Sequence, residues 1–426
     1  MLNLRKLRLL IVLVGMSIVL TACAFMVDAV GTSSEDDQRD ELPPSDPAEK
    51  SSQISELDDS TIGEVEPDGD NSNQDPFAGV RLSFNPRLWT DTDFTKHSID
   101  YREIFSGGPP PDGIPSIDNP VFESVEAADN WLMDEWPVML FERNNDVRAY
   151  PLTILIFHEI VNDVVGGDPV ALTFCPLCNA TIAFNRTLPD GVVLDFGTSG
   201  NLRNSDLVMY DRQTKSWWQQ FTGEAIVGEL TGTQLEFLSS QIIAWRDFRT
   251  NHPDGQVLSR DTGFSRSYGN NPYAGYDSIN GSPWFPVSAE DGRLPAMERV
   301  VAVNVAGIDT AYPFSALREV RVVNDEVADQ PLVIWWKEGT DSVFGSSNDI
   351  GSTGVFLRQI DDQILTFQAV DGGFEDEQTG SLWNLLGEAI AGSMTGRKLE
   401  RIIAGEHFWF AWVVFRPETI IWSPLG

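Results

Sequence analysis

The sequence predicts an α+β, β-rich fold built from two pseudo-symmetric repeats that form two related subdomains. Two observations lead there. A stretch beginning at Ala149, AYPLTILIFHEIVNDVVGGDPVALTFCPLCNATIAFNR, returns from Ala311 as AYPFSALREVRVVNDEVADQPLVIWWKEG. Tyr150 and Tyr312, Asn162 and Asn324, and Pro169 and Pro331 are each 162 residues apart, so the register holds without a gap. Second, most local signals are short runs of β-branched or aromatic residues bounded by Gly, Pro and Asp, which is the pattern of strands. Val170 to Phe174, Thr181 to Phe184, Val192 to Phe196, Val208 to Tyr210 and Glu224 to Leu230 are such runs. Helical spacing is confined to Leu152 to Val161 and a short closing stretch, Trp245 to Thr250.

The chain begins with a leader, residues 1–23. Arg5, Lys6 and Arg8 precede an apolar run, Leu9 to Leu20, that is short for a membrane span. It ends in Leu20-Thr21-Ala22-Cys23, which resembles the lipobox of bacterial lipoproteins. That resemblance implies lipidation of Cys23, a location in the cell envelope on the extracytoplasmic side of a membrane, and contact with that membrane through the lipid alone. Residues 24–76 turn to Ser, Asp, Glu, Pro and Asn. They bury too little apolar surface to offset their ordering entropy, so a disordered acidic stalk is expected. The net charge of −35 sets nucleic acid and anionic lipid surfaces aside as partners. An envelope protein partner stays open.

The remainder divides into an N-terminal extension packed on the core (77–136), a first repeat (137–255), a linker or covering loop (256–298) and a second, degenerate repeat (299–426). The repeat ends also correspond. Glu224 pairs with Glu388, Gly228 with Gly392, Gly232 with Gly396 and Trp245 with Trp409, each 164 residues on. Asp211 and Trp218 return as Asp376 and Trp383, which marks them as scaffold.

The chemistry is confined to the first copy. Cys175 and Cys178 are the only cysteines outside the leader, and His158 lies one element away. The second copy has Val320, Lys337 and Thr340 at the positions of His158, Cys175 and Cys178. Phe174-Cys175-Pro176-Leu177-Cys178-Asn179 has the form of a metal knuckle: two residues between cysteines let both sulfurs face one ion, and Asn179 tolerates the left-handed backbone such a turn often needs. Cys175, Cys178 and His158 are therefore the expected metal ligands, with Glu159, Met209 and His252 as further candidates, and copper or zinc as the ion. The rival reading is redox. Outside the cytoplasm a CxxC pair also forms or exchanges a disulfide. In thioredoxin-like proteins, however, the first cysteine opens a helix, whereas Cys175 closes a strand-like run. The third reading is a structural disulfide.

Phe196 to Asp206 is a Gly/Ser/Asn-rich stretch in which backbone donors and Arg203, with Asn204 and Asp206, would suit a small anionic ligand. A tight turn between strands is the plainer use. Arg260 to Asp277, RDTGFSRSYGNNPYAGYD, is a long polar and aromatic segment suited to covering the Cys/His site or linking the halves. No nucleotide-binding loop, haem motif, nucleophile elbow or His-Glu zinc-protease motif is present.

Together TKHSIDYREIFSGGPPPDGIPSID from Thr95, AYPLTILIFHEIVND, FCPLCNATIAF, RNSDLVMYDRQTKSWWQQFTGEAIVG and RDTGFSRSYGNNPYAGYD resemble the bacterial family of domain of unknown function 3179, over about Asp93 to Thr419. The resemblance implies no activity, substrate or cofactor. The residues themselves support three expectations: an anchored lipoprotein that handles a soft metal ion through Cys175, Cys178 and His158; a thiol–disulfide oxidoreductase using the same cysteines; or a non-catalytic envelope binding module.

Overall fold

A computed structural model describes residues 75–424. The leader, nearly all of the acidic stalk and the lipidation expected at Cys23 lie outside the described residues. Strands dominate what is described, and the longest helices, Trp245–Asn251 and Phe314–Val320, have seven residues each. No helix among the described residues is long and apolar enough to cross a membrane.

Two antiparallel sheets carry the site. One orders Phe237–Leu238, Ala180–Asn185, Asp168–Cys175 and Ile160–Val165; the other orders Ile104–Ser106, Phe196–Arg203, Asp206–Asp211, Trp217–Gln219 and Glu224–Val227. Asp168–Cys175 is buried from Val170 to its end, on both faces. This explains its unbroken apolar run where a half-exposed strand would alternate. It is joined to Ile160–Val165 by Gly166 and Gly167, both at positive φ. Such a two-residue turn matches the strand twist. A Cβ at Gly166 would lie 2.3 Å from the Arg143 carbonyl oxygen, so the tight approach needs glycine there.

The helix expected over Leu152 to Val161 stops after one turn, at Leu155, and Ile160 already belongs to a strand. Glu159 has φ +59°, which ends the helical path, and the β-branched run Ile160, Val161, Val164, Val165 favours a strand partner, the buried Asp168–Cys175. The Gly/Ser/Asn-rich stretch is likewise a hairpin: Phe196–Arg203 turns at Asn204 and Ser205, both left-handed, into Asp206–Asp211.

Several hydrogen bonds have a counterpart later in the chain. The Tyr150 hydroxyl donates to Asp163 and that of Tyr312 to Asp325. The Asn162 side chain bridges the backbone N–H and C=O of Phe196, and Asn324 does the same for Phe367. The indoles of Trp218 and Trp383 donate to Asp211 and Asp376, each at 2.9 Å. Even the left-handed Glu159 has a counterpart in Arg321, at φ +61°.

Two core clusters draw on both the earlier and the later part of the chain, while a third, around Tyr312, Leu317 and Trp336, lies wholly in the later part. One cluster joins Phe174, Cys175, Cys178 and Trp218 to Phe344 and Phe408 through Val413; another joins Val138, Trp245 and Phe248 to Trp335, Phe356 and Trp383. The extension preceding the first repeat adds a strand, Ile104–Ser106, beside Phe196–Arg203, and buries Phe84, Trp89 and Phe94 around Trp217.

Candidate functional site

The site is built on the turn Cys175 to Asn179, at the tip of the hairpin between Asp168–Cys175 and Ala180–Asn185. Cys175 pairs with Ala180 across it, and Asn179 adopts the left-handed conformation, φ +52°. Two distant stretches hold the turn by its backbone. The Tyr276 hydroxyl donates to the Leu177 carbonyl at 2.8 Å, and the Phe408 N–H donates to the Cys178 carbonyl at 3.0 Å. Tyr276 belongs to the segment between the repeats, which thus covers the turn.

Cys175 is 2 % exposed and Cys178 fully buried, and their sulfurs are joined as a disulfide across Cα atoms 5.6 Å apart. An oxygen of Asp206 lies 2.7 Å from the Cys178 sulfur. A disulfide sulfur has no proton to give, so the proton in this contact belongs to Asp206; in the dithiol form Cys178 donates instead. The other Asp206 oxygen accepts from Gln219 Nε2 at 2.5 Å and from the Phe221 N–H at 3.0 Å. Burial still dominates, and pushes the Asp206 carboxyl up to about 7 against the pull of those donors. Glu159, also buried, is pushed up to about 8 by desolvation, with the Asp206 charge adding to it and no cation opposing. Asp206, at the sulfurs, is opposed only weakly by the Arg203 charge, and Glu159 interacts with Asp206 and has no cation of its own.

Among the described residues, Cys175, Cys178 and Asp206 form a group of His, Cys, Asp or Glu whose donor atoms all lie within 4.8 Å of one another. His158, Glu159 and His252 are not members. His158 has both ring nitrogens engaged: Nδ1 with the Pro115 carbonyl at 2.7 Å and Nε2 with the Tyr268 hydroxyl at 2.6 Å. Desolvation first, then Arg266, brings it down to about 4 despite the Pro115 bond, so the ring is neutral and Nε2 accepts from Tyr268. The turn at Glu159 separates the two neighbours, sending His158 to Pro115 and the covering segment and Glu159 toward Asp206. Asp206, and not His158, is thus the side chain that the fold brings to the two sulfurs.

The other candidates are dispersed. Met209 is buried on Asp206–Asp211, opposite Thr198 and Trp218. His252 caps the helix Trp245–Asn251 and packs at a tilt against Phe248 at a different cavity. Arg203 is paired with Glu103 at 2.7 Å, and Asn204 accepts the Ser288 N–H. The anionic-ligand loop imagined from Arg203, Asn204 and Asp206 is therefore a strand end and a turn with its groups already used. Lys337 pairs with Asp247, and Thr340 hydrogen-bonds Ser352 at 2.6 Å. Sequence reasoning assigned no role to Tyr268 or Tyr276, although their segment was marked as a cover.

The family model described as protein of unknown function (DUF3179) matches residues 111–419. The chain belongs to this family. Every residue of the turn, both acids and the covering segment lie within the DUF3179 match, while the resembling stretch from Asp93 to Pro110 precedes it. No curated protein and no solved structure matches the chain.

Proposed function

We propose that this DUF3179 protein is an extracytoplasmic lipoprotein, anchored through Cys23, that binds a metal ion when Cys175 and Cys178 are reduced, with Asp206 as third ligand. The supporting observation is the convergence of two sulfurs and a carboxyl oxygen in a buried position where desolvation outweighs the pull of Arg203. A dication there removes the penalty that burial places on the Asp206 and Glu159 charges. Two thiolates with a hard carboxylate suit Zn(II) better than Cu(I), and three protein ligands leave a fourth position open. The disulfide is then the oxidised, metal-free state. The repeat fits this reading as a gene duplication in which the second copy kept scaffold hydrogen bonds and lost the ligands. The acidic chain is not expected to bind nucleic acid.

The test is elemental analysis of the purified full chain, reduced and loaded with Zn(II) or Cu(I), beside Cys175→Ser/Cys178→Ser and Asp206→Asn. About one zinc per chain is expected in the parent and none in the double-cysteine variant, with affinity in Asp206→Asn weaker by about tenfold or more. No metal in the reduced parent refutes the reading.

A second reading, thiol–disulfide oxidoreduction, is favoured by the disulfide itself and by the proton that Asp206 holds against Cys178. It requires a sulfur that another thiolate can reach in line with the S–S bond. Burial of both sulfurs beneath the Tyr276 segment argues against it.

A further inference from the structure

A second polar site lies between the halves, away from the cysteines. The cavity measures ≈ 180 Å³ and is lined by Glu142, Ser239 and His252 from the first half and by Glu388, Lys398 and Arg401 from the second. A single water needs about 10–15 Å³ on the same measure, so a small molecule fits. Lys398 pairs with Glu388 at 2.6 Å and is 57 % exposed, which marks the cavity mouth. Deeper in, Arg401 Nε, Ser239 Oγ and His252 Nε2 are buried without a hydrogen-bond partner. Each such group costs free energy, and three at one cavity point to something that completes them.

The first half shows that the scaffold does not need these charges. Glu224 and Gln234 make the same isolated antiparallel bridge as Glu388 and Lys398. There the Gln234 amide donates to the Thr222 and Leu235 carbonyls, and Phe237, 164 residues before Arg401, packs on Phe184. An amide and an aromatic ring close the first position; an ammonium and a guanidinium leave the second open and charged.

The wall charges balance. Glu142 and Glu388 oppose Lys398 and Arg401, and burial holds His252 below its ordinary range and neutral. A net anion or cation would remain uncompensated in such a wall, whereas a ligand carrying both signs would not. We propose that this cavity binds a small zwitterion of the α-amino-acid class, its carboxylate held by Arg401 and Ser239 and its ammonium by Glu142. The proposal is independent of the metal reading.

The test is isothermal titration calorimetry of the purified full chain with glycine, L-alanine, L-serine and L-glutamate, and with acetate and methylamine as half-ligands. Saturable binding of at least one amino acid is expected, with the half-ligands much weaker. Ser239→Ala removes a hydroxyl that bonds to nothing in the protein, so it should fold normally and weaken binding about tenfold, while Arg401→Met should abolish it. No binding by any amino acid up to about 10 mM overturns the proposal, since that marks affinity below the millimolar range. Acetate binding as well as alanine also overturns it, as does unchanged affinity in Ser239→Ala.

Discussion

Glu159→Gln is the perturbation that most directly tests the electrostatics of the cysteine site. In the metal-free, disulfide-bonded protein, burial raises this carboxyl from 4.5 to about 8. Between those limits the unfolded chain has released the proton and the folded chain still holds it. Stability from this group is therefore complete below about pH 4.5 and falls as pH rises toward 8, by about 1.4 kcal/mol per pH unit. Over the whole interval the loss amounts to about 5 kcal/mol, a large part of a typical domain's stability. Glutamine has no proton to lose and keeps the size and the left-handed backbone, so the variant lacks this slope. Urea unfolding from pH 5 to 8.5 with EDTA gives both curves. The parent should lose stability relative to Glu159→Gln as pH rises, and the difference should stop growing near pH 8. Parallel curves would refute the claim that an uncompensated acid is buried near Asp206.

Other expectations concern the scaffold and access to the site. Arg148 Nη1 donates to both carboxylate oxygens of Asp163, at 2.8 and 2.9 Å, with both side chains largely buried; Arg148→Met should cost about 3–5 kcal/mol by chemical denaturation, because it leaves a buried carboxylate without its counter-ion. Tyr150→Phe and Tyr312→Phe each remove one hydrogen bond to an aspartate and should each cost about 1.5–3 kcal/mol. The two sites lie in different halves, so the double variant should show the sum. In the reduced protein, maleimide should label Cys175 and Cys178 far more slowly in the native state than in urea, since burial limits the reaction to openings of the structure. Equal rates would mean that the covering segment does not shield them.

The turn at the cysteines was legible because its signals are local. A β-branched and aromatic run before it, another after it, and an asparagine able to take positive φ specify a hairpin tip within fifteen residues. Asp211 and Trp218 were legible for a different reason: their recurrence as Asp376 and Trp383 marked them as framework, and the indole–carboxylate bond is present in both places. Asp206 was read as part of a small-ligand loop and not as a neighbour of Cys178, because it reaches that sulfur from a strand of another sheet, 28 residues along the chain. His158 is engaged away from the cysteines for a related reason. Its partners, Pro115 and Tyr268, are 43 and 110 residues away, and no periodicity encodes such contacts. The short helix at Leu152 failed at its far end, where spacing alone could not foresee that Glu159 would turn left-handed and that Ile160 would find a buried strand to pair with.

The bonds that Tyr276 and Phe408 make to the cysteine turn end on main-chain carbonyls. Every amino acid offers that same oxygen, so the docking is blind to the letters written at 175 and 178. The thiols can therefore be exchanged for other side chains without renegotiating how the chain closes around them. Architecture and chemistry are inherited on separate accounts at this position, which makes the turn a place where new reactivity can be tried at little risk to the fold.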